Sequence, residues 1–405
     1  DVYESLGDGS CVGWNFINSP NPQPMNWAPT NSNRWSDSSN WDIAGGLPAG
    51  RAPLPCDNVY FDNPGFAAND TVLIDELAYC RNMYWDDNFT TANPKLVFEK
   101  DVLLLNGSMY LSPQLEIKSN SSQHSAIILY SDSSNNEIKT YGKTLLINLH
   151  ITSFGSYILK DKLRLAHDKF IYFENGDFIS DGYNITAGYM MDGGPDHSSD
   201  FPPFIDIRNS YVHLKGSADL TSDNSSSSTP ATPFMLGNDS TEILTAGSHI
   251  ILNTPNLTFL GNGAHYDKIT SLADTTYFFS GASYNELNVK AGSFNGIIDS
   301  IVIKENLFIY DTASQKTRFN QQLLSFGNSG AMSGSTSNAK IINISPNDIC
   351  LDNVGIQNVD VVSGNQYTTQ NLIGSTSDTS MSSGWDFAPT KCYMDMYGTV
   401  MDIDN

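Results

Sequence analysis

Basic residues, long apolar runs, helical periodicity and closely paired cysteines are all scarce or missing in this chain. Only 21 Lys and Arg stand against 44 Asp and Glu, a formal charge of −23 at pH 7. Nucleic-acid binding needs clustered cations to replace phosphate counterions, so this balance argues strongly against it. The acidity fits either calcium sites or a solvated exterior, and the second is the simpler reading. No stretch approaches the ~18 apolar residues of a membrane-spanning helix, so no membrane span is expected. The opening DVYESLGDGSC is too polar for a secretory signal. An exported protein of this sequence is then expected to be a mature form or an excised fragment. The five cysteines, Cys11, Cys56, Cys80, Cys350 and Cys392, are too scattered for a zinc site. Two disulfides local in sequence, Cys56–Cys80 and Cys350–Cys392, with Cys11 left over, fit an oxidising compartment. Buried free thiols are the alternative.

What is present is a β grammar. Aromatic residues make up 11 % of the 405, and charged residues only 16 %. From about 95 to 345, short apolar or alternating runs such as KLVFEKDVLLL, SAIILYS, KTLLINLHI and SIVIKENLFIYD are punctuated by Gly, Asn, Asp or Ser. Each reads as a strand followed by a turn, and no helix of ten residues is visible. Recurring phrases, as in DFISDGYNITAGYM and NELNVKAGSFNGIID, favour a solenoid over sandwiches, because stacked coils bury one continuous apolar column. The expected fold is therefore all-β: a single-stranded β-helix (β-solenoid), right-handed if the general crossover rule applies. Two polar, Pro-containing stretches, 190–203 and 220–233, read as loop insertions.

Catalytic and metal chemistry is weakly encoded. A β-helical glycosidase or lyase needs facing carboxylates, or calcium-binding acids with a Lys or Arg base. The candidates are Asp177 with Asp181, Asp86 with Asp87, and Asp192, Asp196, His197 and Asp200 in the 190–203 loop. Asp192, Asp196 and Asp200 could offer oxygen ligands to Ca²⁺, although the loop lacks the ordered alternation of an EF-hand. The histidines are dispersed, and there is no G-x-S-x-G elbow, P-loop or dinucleotide fingerprint. The expectation is a non-enzyme with no cofactor, calcium being the single candidate. A carbohydrate-binding reading rests on exposed aromatics such as Tyr183, Tyr189 or Tyr211.

GWNF at 13–16 and GWDF at 384–387 read as closing motifs of successive units, so the chain is read as one module of a longer array. The division is 1–30 for the tail of a preceding unit, 31–94 for a cap and first coils, 95–345 for the helix, and 346–405 for closing strands. RWSDSSNWDIAGGLPAGRAPLPCDNVYFDNPGF, followed by DTVLIDELAYCRNMYW, resembles the opening of a recurrent unit in giant type IX-secreted surface proteins of Bacteroidetes, some of them gliding adhesins. The matching positions include Trp35, Asp37, Asn40, Trp41, Gly45, Gly46, Asp57, Asn58, Val59, Phe61, Ile74, Cys80, Met83 and Trp85. Ser38 stands where that pattern has Pro, and Cys56 where it has a small polar residue. The resemblance implies an extracellular, surface-displayed structural or adhesive module. Its partners would be neighbouring modules of the same long chain and a surface polysaccharide or glycan. Trp35, Trp41, Tyr60, Phe61 and Trp85 would form an aromatic N-terminal cap, with Asp37 and Asn40 tying the turn; a sugar-stacking platform is the competing use of the tryptophans. The resemblance also implies O-glycosylation in D-S/T-hydrophobic triplets, with Thr71, Ser300 and Thr312 as acceptors.

Overall fold

The computed structural model describes residues 22–373, apart from short breaks in loops and longer stretches at 193–201, 217–230, 310–316, 321–338, 344–350 and 364–371. Successive residues in its short strands alternate between buried and partly exposed, as in Asn58–Phe61 and Thr71–Ile74. That period of two follows from the pleat, which sends neighbouring side chains to opposite faces. The inward set is apolar, so each strand lies against a core on one side only.

The strands build three parallel walls, and the chain visits them in the order A, B, C before returning to A. Wall A stacks Met25, Val59, Met83, Met109, Ile138 and Leu159 in register. Wall B stacks Val72, Leu96 and Ile117, and then, in a second sheet, Leu163, Ile185, Val212, Ile250, Ile269 and Leu287. Wall C stacks Ala78, Leu103, Ile127, Leu149, Ile171, Met190, Phe234 and Phe259. The described core residues form one hydrophobic cluster running the length of the stack. This is the single-stranded β-solenoid expected from the strand-and-turn grammar. Among the described residues there is no α-helix, only a 3₁₀ turn at Ser38–Asn40.

Two long strands, Asn148–Leu159 and Phe170–Ile179, round the corner from wall C to wall A without a loop. Glycine permits this. A Cβ on Gly155 would lie 2.0 Å from the carbonyl oxygen of Ser133, and one on Gly176 (φ +81°) 2.3 Å from that of Ser153. Backbones of successive rungs touch here, leaving no room for a side chain. Of the 190–203 stretch, residues 190–192 belong to the wall C strand Tyr189–Asp192, and 193–201 lie outside the described residues. Of the 220–233 stretch, residues 231–233 belong to the wall C strand Ala231–Met235, and 220–230 lie outside the described residues.

Both ends continue the walls. Pro24–Trp27, inside the segment read as the tail of a preceding unit, pairs in parallel with Asn58–Phe61 and is the first strand of wall A. Near the other end, Val354–Gln357 extends wall C and Val359–Ser363 extends wall B. Every strand pairing among the described residues is parallel except two. Trp41–Ile43 runs antiparallel to both Pro24–Trp27 and Leu47–Pro48, covering the first edge of wall A.

Candidate functional site

The N-terminal aromatics close the column. Trp35 and Trp41 are buried and meet edge to face at 4.8 Å; Trp27 meets Trp41 in the same manner at 5.0 Å, and Phe61 stacks on Trp85 at 4.0 Å. Trp41 Nε1 donates to the Trp35 carbonyl at 2.8 Å. The polar residues between the tryptophans hold the turn. Asp37 accepts from the Ser39 N–H and hydroxyl and from Ser32, bonds that lower its pKa. Asn40, fully buried, donates to Ser32 and to the Arg34 carbonyl. Asp57 is buried as well, paired with Arg51 and accepting the N–H groups of Gln23 and Leu54. Burial of both tryptophans rules out a sugar platform made from their faces.

One aromatic assigned to the cap lies elsewhere. Tyr60 follows the inward Val59, so the pleat turns it out, where it stacks on Tyr84 at 5.0 Å, and Tyr84 stacks on Tyr110 at 5.2 Å. Trp27, Phe66 and Phe89 take part in the cluster instead. Only Trp27 had a legible signal, as the alternating partner of Met25 in PMNW.

The cysteine pairing also differs from expectation. Cys80 is a free thiol facing the core beside Leu105 and is not bonded to Cys56. Cys80 occupies an inward position of its strand, buried among apolar neighbours that push its pKa up, so Cys56–Cys80 is not formed. Cys11, Cys350 and Cys392 lie outside the described residues.

The acidic candidates are not gathered into a site. Asp192 is buried on wall C, in register with Phe173, and accepts from the Thr241 hydroxyl at 2.7 Å; Asp196 and Asp200 lie outside the described residues. Asp177 is exposed on wall A, and Asp181 sits in a turn with φ +52°. Among the described residues no group of three His, Cys, Asp or Glu is arranged to hold a metal ion. Thr71 is half-buried at the start of a wall B strand, Ser300 begins the strand Ser300–Ile309, and Thr312 lies outside the described residues. Tyr189 is buried, while Tyr183 and Tyr211 are exposed.

The outer surfaces of the walls differ in chemistry. Wall A carries the tyrosine stack beside a polar ladder in which Asn82 donates to Asn58 at 2.8 Å. Tyr110 donates to Glu137 at 2.5 Å; burial and that carboxylate raise the Tyr110 pKa to about 12. Wall B sets Arg164, Thr186 and His213 in one outward row, and Tyr211, His249, Lys268 and Glu286 in another. Burial, assisted by Lys268, lowers the His249 pKa to about 4. One outward row of wall C is largely apolar: Tyr79, Leu104, Ile128, His150, Tyr172 and Met191 follow one another in register, each half-buried, with Thr152 and Glu174 turned outward beside it. At Tyr79 this row meets a cleft of about 480 Å³, which is also lined by Trp35, Arg51, Pro53, Pro55, Glu76 and Leu77.

No helix among the described residues is long and apolar enough to cross a membrane. No family model, curated protein or solved structure matches the chain. What is established is a repetitive β-solenoid scaffold with a buried aromatic cluster at its N-terminal end.

Proposed function

We propose that the chain is a structural and adhesive module of a large exported bacterial surface protein, a stiff rod that spaces and displays binding surface. The observation that carries this reading is the register of the three walls. Each rung extends the same columns, so stiffness and display length grow together. The placement among giant type IX-secreted, gliding-adhesin-like proteins of Bacteroidetes, on the outside of the cell, rests on the resemblance of the tryptophan-rich opening. Its neighbours would be like units of the same chain, and Thr71, Ser300 and Thr312 its glycan acceptors.

Beads coated with the protein should be held against polysaccharide-coated surfaces under flow while bare beads wash off. Incubation with soluble polysaccharides, with and without calcium, should release no reducing or unsaturated ends. Release of such ends would replace this reading with a polysaccharide lyase or hydrolase on the same scaffold.

A further inference from the structure

Among the described residues, the outward row of wall C runs over more rungs than the three-tyrosine ladder of wall A and, unlike the rows of wall B, holds no Lys, Arg, Asp or Glu. The inward columns already close every rung, and walls A and B place Asn, Tyr, Thr, Lys and Glu at their outward positions. Wall C instead aligns Tyr79, Leu104, Ile128, His150, Tyr172 and Met191 over six consecutive rungs. At the usual strand spacing this stripe is about 25 Å long and parallel to the rod. Burial lowers the His150 pKa, so the stripe is uncharged at neutral pH. Its N-terminal end enters the cleft through Tyr79. Trp35 lines that cleft, and its indole N–H has no acceptor among the described residues.

We infer that the stripe and cleft together bind a linear, neutral polysaccharide lying along the rod axis, an inference that rests on the adhesive reading above. A peptide fits poorly. The strands beneath the row from Leu103–Leu105 to Tyr189–Asp192 are each paired on both sides, so a peptide lying along the row would meet a strand edge only at Ala78–Cys80, which pairs with one described strand. Each backbone group the row left unpaired would cost about 1–3 kcal/mol. Sugar rings carry apolar C–H faces that rest on aromatic and aliphatic side chains, while their hydroxyls point to water at the rim. Charge selects further: a net −23, with the cleft's Arg51 already paired with Asp57, Glu76 also lining the cleft and Glu174 beside His150, repels anionic polymers and second copies of the chain alike.

Affinity electrophoresis of the full chain through gels containing mixed-linkage β-glucan, galactomannan or alginate tests this. Retardation is expected in at least one neutral gel and not in alginate. Tyr172→Ala and Leu104→Ser should each weaken it at least tenfold, with unchanged circular dichroism because both side chains point outward. Tyr211→Ala on wall B should leave it intact. The inference is overturned by absence of retardation in both neutral gels, by retardation confined to alginate, or by stripe variants that bind like the parent. It is also overturned if sedimentation shows self-association that the stripe variants abolish, which would make the row a contact between copies. Bead retention that survives the stripe variants would sink this site and leave the adhesive reading standing. Release of sugar ends would sink the adhesive reading itself.

Discussion

Single residues in this protein divide sharply by the side of the strand they occupy. Trp41 is buried among Trp27, Trp35 and Phe61, and its ring nitrogen is spent on the Trp35 carbonyl. Trp41→Ala should cost about 3–5 kcal/mol, measured by urea unfolding. Tyr60→Ala, one wall position from the same cluster but turned outward, should cost about 1 kcal/mol, the value of one ring stack. His249 titrates in the opposite sense to a salt-bridged histidine. Its folded pKa of about 4 lies below the ordinary 6.5, so the unfolded chain binds more protons between those values. Stability therefore rises with pH across that window and is lost as pH falls from 6.5 to 4. Replacing His249 with Gln should flatten that part of the melting-temperature profile, and an unchanged profile would mean other groups carry the acid sensitivity.

At the scale of the element, the tightest constraint is the corner in the two long strands. Gly155→Ala would press a methyl group into the Ser133 carbonyl, a backbone atom fixed by the neighbouring rung. Overpacking of this kind costs about 1–3 kcal/mol. Ser134→Ala, exposed on the adjacent turn, should change stability by less than about 0.5 kcal/mol in the same assay. The antiparallel hairpin Trp41–Pro48 is a different kind of device. It occupies the outer edge of Pro24–Trp27, where a further parallel strand would otherwise dock. Deleting residues 42–48, which keeps Pro24–Trp27 and Trp41 and joins Trp41 to Ala49 whose N–H already meets the Trp41 carbonyl, should give edge-paired aggregates, visible by light scattering. A monomer with intact circular dichroism would show that this hairpin is not what blocks stacking.

The whole molecule behaves as a column in which each rung meets only its neighbours, so its stability should be divisible. Truncation from the C-terminal end should leave a folded, capped N-terminal portion. The dependence of unfolding free energy on urea should fall with each rung removed, because it scales with the surface exposed. All-or-none loss of structure on removing the rungs beyond Asn253 would contradict a nearest-neighbour solenoid. The same column makes Cys80 a reporter of global opening, since its thiol is buried and its pKa raised by that burial. Alkylation of Cys80 should follow unfolding and not precede it.

Alternation of apolar and polar residues, punctuated by Gly, Asn and Asp, determined from the sequence alone that this chain is all-β, that its strands are short, and that they stack as a solenoid. The pleat fixes which residues point inward whatever the fold around them, and the turn residues fix where each run stops. The buried pair Trp35 and Trp41, with Asp37 and Asn40 in the turn between them, was expected as a cap from the resemblance of the opening block, since no strand period marks either ring. Tertiary structure alone decided what depends on neighbours distant in the chain. Which residues share an outer row follows from rung lengths, and these vary as loops leave at the corners. Tyr60, Tyr84 and Tyr110 therefore became a ladder, and Tyr79, Leu104, Ile128, His150, Tyr172 and Met191 an apolar stripe, with no motif marking either. Cys80 failed to pair with Cys56 on the same grounds: proximity in sequence carried less weight than the direction in which its strand turned it.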